Sequence, residues 1–267
     1  MLAARHSRFR ASCVKGISRR LHFGLNELEM GMTDLVSYAF TDGVATLAMD
    51  DGKANAMGPA MQAALNAALD RAEADKAIVV LTGRAGVFSG GFDLGVFKAN
   101  DPKAMFQMLA GGAQLAQRVL AYPHPVIAAC SGHAVAMGLF LLQCADVRIG
   151  LKAGATFQAN EVLIGMTLPH FALETIRERV TQPHQHLVGT ALPYNGEQAV
   201  SAGLLDEAVA HDALVAAVHA HVDRLKKADP QSFTATKQRL RAHVLAAMPG
   251  AIEKDIADWK RLGAAKS

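Results

Sequence analysis

The chain has 267 residues, 51% of them hydrophobic, which is enough apolar material to close one large domain, and a formal net charge of +3. Six basic groups against two acidic ones fall in residues 1–31, leaving 21 basic and 22 acidic groups in residues 32–267, so no basic face argues for nucleic acid. Three cysteines, Cys13, Cys130 and Cys144, lack CxxC spacing; they suggest neither a disulfide framework nor a zinc site and point to a reducing compartment.

Residues 1–31 are free of acids until Glu27 and lack the apolar stretch of a secretory signal. They read as an extension, disordered or upstream of a native start at Met32; the alternative is a mitochondrial transit peptide. The expected location is accordingly the cytoplasm, or the mitochondrial matrix in the second case. Two short strands, Leu35–Phe40 and Val44–Met49, follow, joined by Thr41-Asp42-Gly43, whose Asp-Gly is a hairpin signal. A helix is predicted over Pro59–Ala74 with proline in its first turn, then a strand buried on both faces over Ala77–Thr82. Helix 103–121, strand Val126–Cys130, helix 137–145 and strand Val147–Ile149 continue the alternation. Such alternation means right-handed βα crossovers and a largely parallel sheet, an α/β fold.

The stretch from Val126 to Ala145 is about twenty largely apolar residues, long enough by count to cross a bilayer. Ser131-Gly132-His133 interrupts it, Pro123 and Pro125 precede it and Asp146 follows it, so a buried strand, a turn and a buried helix are expected instead. Beyond Pro169 every predicted element is helical (170–180, 184–190, 196–202, 211–228, 231–247 and 250–262), with breaks at Asp229-Pro230 and Pro249-Gly250. The division is therefore a β/α core over 32–190 and a helical region over 191–267, the kind of annex whose exposed apolar faces commonly pack on a partner subunit.

Two glycine-punctuated turns stand out, Val87-Phe88-Ser89-Gly90-Gly91-Phe92-Asp93-Leu94 and Cys130-Ser131-Gly132-His133-Ala134-Val135-Ala136-Met137-Gly138. Backbone N–H groups from two such turns can converge on one oxygen and stabilise an anion developing on a carbonyl. The glycines after Thr82 do not form GxGxxG, there is no P-loop, and neither Ser89 nor Ser131 lies in a GxSxG elbow. Glu161 precedes Val162-Leu163-Ile164-Gly165, which places a carboxylate at the edge of the core. Burial raises a carboxyl pKa and suits a general base near neutral pH, although the residue alone reads rather as a surface or helix-entry glutamate. His184/His186 and His219/His221 are two apart and face different ways on a helix, so no metal is expected.

These residues in order carry a resemblance to the crotonase (enoyl-CoA hydratase/isomerase) superfamily from Asp34 to near the C-terminus. Asp50-Asp51-Gly52-Lys53-Ala54-Asn55-Ala56-Met57 is similar to the family's segment ending in Asn-Ala-Leu or Asn-Ala-Met, and Gly90-Gly91-Phe92-Asp93-Leu94 to its Ala-Gly-x-Asp-Leu turn. Gly132–Gly138 through Asp146 resembles the second glycine turn and its helix. Glu161-Val162-Leu163-Ile164-Gly165 and Ala202-Gly203-Leu204-Leu205-Asp206 resemble the later Glu-x-x-x-Gly and Ala-x-Gly-Leu-x-Asp patterns. The resemblance implies a spiral of ββα repeats with a helical C-terminal region used in trimerisation, as a homotrimer or a dimer of trimers. It also implies an acyl-CoA thioester as substrate, coenzyme A being part of that substrate with no separate cofactor.

On the same basis the N–H groups of Phe92 and Met137 form an oxyanion hole, with Asp93 and Leu94 completing the first turn at the substrate. The adenine lies against Ala54 and Ala56, and Lys53 and Lys237 are candidates for the phosphates, Lys237 by reaching a neighbouring subunit. The Met- and Gly-rich loop 97–112 (Met105, Met108, Gly111, Gly112) is expected to cap the acyl chain adaptably.

Family hydratases hold a water between two glutamates, one on the helix after the second turn and one at the Glu161 position; here the first position is Phe140. A phenyl ring neither takes a proton nor holds a water, so the pattern implies the chemistry of family isomerases, in which a lone glutamate moves a proton. His170 and Glu174 are candidates for a second acid–base or specificity group and would support hydration, decarboxylation or thioester hydrolysis instead. A catalytically weak acyl-CoA-binding homologue is the further alternative, because Ala136 and Met137 stand where the family has glycines.

Overall fold

The fold is that of a computed structural model describing residues 32–33 and 35–264; the expectations for residues 1–31 lie outside the described residues. Strands β1 (Met32–Thr33), β2 (Val36–Thr41) and β3 (Val44–Met49) pair antiparallel. Asp42 and Gly43 between β2 and β3 both have positive φ, 51° and 75°, the hand that matches the twist of a tight hairpin. Helix α1 (Pro59–Ala74) then leads into β4 (Ile78–Thr82), β5 (Gly86–Ser89), α2 (Leu94–Lys98) and α3 (Pro102–Ala121). Next come β6 (Val126–Cys130), β7 (Gly132–Val135), α4 (Met137–Gln143), β8 (Val147–Leu151), β9 (Phe157–Gln158) and a single 3-10 turn, Glu161–Ile164.

The repeat is visible in how the strands are shared. β4, β6 and β8 join a seven-stranded sheet of order β1-β2-β3-β4-β6-β8-β10, whereas β5, β7 and β9, each the next strand in the chain, form a separate three-stranded sheet. Each turn of the chain thus contributes one strand to each sheet before a helix or helical turn carries it onward, which is a ββα spiral. Every residue of β4, β6 and β8 is buried, as a parallel sheet covered on both faces requires. Helix α1 packs on β2 and β3.

Beyond Pro169 lie α5 (His170–Arg179), α6 (Gln182–Gly189), α7 (Gly196–Ala202), β10 (Glu207–Val209), α8 (Leu214–Leu225), α9 (Pro230–Leu240) and α10 (Ala242–Ala264). This region is not wholly helical: β10 pairs parallel with β8 and α8 packs on β6 and β8, so the sheet continues past residue 190. Helix α10 lies against α3 and α5 of its own chain. It also runs through Pro249-Gly250, where a break is predicted. Burial of Val244, Met248, Ile252 and Trp259 along one side of α10 offsets the one backbone hydrogen bond that a proline removes. The predicted loop 97–112 is likewise largely the start of α3, begun by Asp101, whose carboxylate accepts from the N–H groups of Lys103 and Ala104.

Candidate active site

The small sheet organises the site. Its three strands run parallel, and just past their C-terminal ends stand the three segments singled out by sequence: Phe92 after β5, Met137 after β7 and Glu161 after β9. β7 pairs with both β5 and β9, and the Ala136 N–H donates to the Gln158 carbonyl at 2.9 Å, which ties the second turn to the strand that leads into Glu161.

The first two turns touch. Gly91 has φ +98°, and a Cβ there would lie 2.8 Å from the Ala136 Cβ, 3.1 Å from the Val135 carbonyl oxygen and 3.5 Å from the Met137 nitrogen. Only glycine meets both demands. Ala136 is itself held at φ 50°, ψ −125°, a conformation that L-residues avoid, and it turns the chain sharply from β7 into α4. Among the described residues neither the Phe92 N–H nor the Met137 N–H donates to a protein acceptor. Met137 opens α4, where an N–H has no partner inside the helix.

A third loop braces the first turn. The buried Asn55 side chain donates to the carbonyls of Met49 and Phe88, Ser89 Oγ donates to the Asn55 carbonyl at 2.7 Å, and the Gly91 N–H donates to Ser89 Oγ at 3.2 Å. The Asp51 carboxylate accepts from the N–H groups of Lys53, Asn55 and Ala56. Desolvation works against its charge, but these donors outweigh it and hold its pKa below the usual carboxylate range. Ala54 accepts from the Gly90 N–H at 2.8 Å, and both Lys53 and Ala54 are exposed, whereas Ala56 is half-buried. The bracing roles of Asp51, Asn55 and Ser89 are not legible in the sequence. Their residue types lie within the Asp50–Met57 and Val87–Leu94 motifs; Asp51 braces its own loop, but the groups that join Asn55 and Ser89 across the two loops lie 32 or more residues apart in sequence.

Glu161 opens the 3-10 turn and is 5% exposed. Burial pushes its carboxyl up to about 7, and among the described residues its buried Oε2 has no hydrogen-bond partner. The neighbouring Asn160 Oδ1 is in the same condition. The turn closes on Gly165 in the left-handed conformation, with the Met166 N–H donating to the Glu161 carbonyl at 2.9 Å. Val162, Leu163 and Ile164, the rest of the turn, are exposed.

Phe140 is wholly buried on α4, its ring edge-on to Phe171 with centroids 5.9 Å apart. Phe92 packs on α3 so closely that a Cβ on Gly112 would lie 2.5 Å from its ring; Gly112 admits that ring rather than supplying flexibility. Asp93 caps α2 by accepting from the Gly95 N–H at 2.7 Å, and Leu94 is 59% exposed.

Three expected site residues are placed elsewhere. Lys237 is buried, its Nζ 2.8 Å from Asp146 Oδ2 and bonded to the His124 carbonyl, so it is engaged within its own core rather than presented at the candidate site. His170 begins α5, with Nε2 3.5 Å from Asp258 on α10, and it lines a cavity of about 440 Å³ whose walls do not include Glu161. Glu174 lines the same cavity and pairs with Arg177 at 2.6 Å. Among the described residues no cluster of three or more His, Cys, Asp or Glu side chains could hold a metal ion, and no helix is long and apolar enough to cross a membrane.

Known proteins resemble this chain in sequence and fold. The chain is 44% identical to an enoyl-CoA isomerase of Mycobacterium tuberculosis of known structure, with 85% of this chain and 99% of that one covered and a TM-score of 0.80. A second structure of that mycobacterial protein, under the name probable enoyl-CoA hydratase EchA3, is 42% identical over 87% of this chain and 99% of that one, with a TM-score of 0.83. One relative thus carries both reaction names. A probable enoyl-CoA hydratase of Bacillus subtilis is 26% identical over 238 residues, 86% of this chain and 90% of its own length. The enoyl-CoA hydratase/isomerase family model matches residues 39–267, and with a ββα spiral that sets two free N–H groups and a buried carboxyl at the ends of three parallel strands, the chain belongs to that family.

Proposed function

We propose that this chain moves the double bond of an enoyl-CoA, with Glu161 as its only acid–base group. The observation that carries the reading is the Glu161 carboxyl, buried, raised to about 7 and with one oxygen unpartnered, on a chain whose α4 offers Phe140 and no second acid. The thioester oxygen of a 3-enoyl-CoA accepts from the N–H groups of Phe92 and Met137. Glu161 takes a proton from C2, the negative charge passes to that oxygen as an enolate, and the protonated carboxyl returns the proton to C4, leaving the double bond between C2 and C3. One group suffices because it is base in the first step and acid in the second, and a pKa near working pH serves both. Each hole donor is worth on the order of 10²–10³ in rate. Lys53, Ala54 and Ala56 are the proposed coenzyme A strip, and Asp93 and Leu94 the mouth of the acyl site. Assembly as a homotrimer or dimer of trimers is proposed on the same family basis; the exposed Val162–Ile164 run is the kind of apolar surface a second copy covers.

The test is to incubate the protein with trans-2-, cis-3- and trans-3-enoyl-CoA of several lengths in heavy water and to follow deuterium and products. Isomerised product whose rate falls by about 10²–10⁴ in Glu161→Gln is expected. A 3-hydroxyacyl-CoA product would make the chain a hydratase. Coenzyme A thioester binding with no exchange from any substrate would make it a binding protein.

A further inference from the structure

We infer that Asp255, on the C-terminal helix α10, is a positioning residue for the Glu161 segment. Asp255 is 2% exposed and lies 94 residues beyond Glu161 in sequence, yet both of its carboxylate oxygens are engaged at the far end of that segment. Oδ1 accepts from the His170 N–H at 2.7 Å and Oδ2 from the Phe171 N–H at 2.9 Å. These are the first two N–H groups of α5, which have no partner inside the helix, and Pro169 before them supplies no side-chain cap. A carboxylate is the group best suited to that end of a helix, by charge and by acceptor count.

The geometry makes this a restraint on the base rather than a generic cap. The Glu161 segment is short and is held at two ends. Upstream, β9 fixes it through its pairing with β7 and through the reciprocal backbone bonds of Phe157 and Tyr194 at 3.0 and 3.1 Å. Downstream, the chain from Gly165 to Pro169 has no regular structure until it reaches the two N–H groups bound by Asp255. The second of these belongs to Phe171, whose ring meets Phe140 on α4, the helix that Met137 opens. One carboxylate therefore joins α10 to the base segment on one side and to the hole-bearing helix on the other.

Around Asp255 the charged groups that act on it are His170 from α5 and Asp258 one turn along α10, which itself binds His170 and Arg261. Among the described residues no charged group acts on Glu161 in this way, and burial alone raises it. Any loosening that admits water to the 3-10 turn thus lowers the Glu161 pKa, and this is a readout that lost stability by itself would not give. The inference rests on Glu161 being the base.

The experiment compares wild type, Asp255→Asn and Asp255→Ala in the isomerisation assay across pH, with amide hydrogen exchange over residues 159–172. Wild-type kcat should fall on the acid side with a midpoint near the Glu161 value of about 7. Asp255→Ala should lower kcat by roughly 10- to 100-fold with KM little changed, as expected for a misplaced base, and move the acid midpoint down toward the ordinary glutamate value of 4.5. Asp255→Asn keeps one acceptor and sets an NH2 against the other N–H; it should give an intermediate shift and faster exchange at His170 and Phe171. If Asp255→Ala does not fold, Asp255→Asn decides alone. Unchanged kcat, acid midpoint and exchange in a folded variant overturn the inference. Full activity in Glu161→Gln would instead overturn the base assignment, whereas the exchange result tests the anchor without reference to catalysis.

Discussion

A carboxyl raised to about 7 makes Glu161 a group that costs the fold something at working pH. Below pH 4.5 it is neutral folded and unfolded; as pH rises from 4.5 to 7 the unfolded chain ionises it while the folded chain does not, and its contribution to stability is lost. The shift corresponds to on the order of 3 kcal/mol of destabilisation above pH 7. Glu161→Gln is therefore expected to be more stable than wild type at about pH 8 and equal to it near pH 4, as read from urea midpoints at the two pH values. Equal midpoints at the higher pH would mean that the carboxyl is hydrated in solution. Gly91 and Ala136 show the same preference for geometry over ease of folding: one residue is confined to glycine and its neighbour strained so that two turns can meet. Nothing in residue type alone distinguishes Glu161 from a surface glutamate, since the difference lies in what covers it.

Among the elements, α9 and α4 show where side chains that look functional serve packing. Lys237 on α9 and Arg241 just after it both bind Asp146, beyond the end of α4, and Arg241 also donates to the carbonyls of Leu120, Cys144 and Ala145. Burial lowers the Lys237 pKa to about 8, with Asp146 pulling the other way. The unfolded chain then binds more protons than the folded one between pH 8 and 10.5, and the stability that this lysine withholds at lower pH is recovered as pH rises. Lys237→Met leaves Asp146 paired with Arg241 and with the Val126 N–H, so the variant should fold and lack that recovery. Thermal midpoints of the two proteins should diverge in favour of wild type across about pH 8–10; a constant difference would place the lysine in water. Sequence spacing put Lys237 in a short Ala-Thr-Lys run like a reaching family lysine, and only the docking of α9 shows it pointing inward.

For the whole molecule, Arg148 on β8 ties the sheet to the C-terminal region. Its guanidinium bonds both oxygens of Asp206, Gln143 Oε1 and the Gly203 carbonyl, all within 3.0 Å. Arg148→Met strands these acceptors and should cost about 2–4 kcal/mol in urea denaturation, with Arg148→Lys unable to restore it because an ammonium cannot span the fork. An unchanged urea midpoint would show that the C-terminal region docks through its apolar faces alone. The alternation of strands and helices, the hairpin at Asp42-Gly43 and the ends of α1, β6 and α7 were legible in the sequence, because periodicity, turn residues and caps act over a few residues. The short strands β5, β7 and β9 were not, since β9 has two residues and β5 and β7 read as glycine turns; pairing across the chain makes them a sheet. The sequence by itself determined which segments hold the candidate hole and base, through residue types whose chemistry is local. Tertiary structure decided that the Glu161 carboxyl is buried and unpartnered, that Lys237 and His170 turn to Asp146 and Asp258, and that the C-terminal helix reaches the base segment through Asp255. Burial and long-range hydrogen bonding depend on what the rest of the chain places beside a residue.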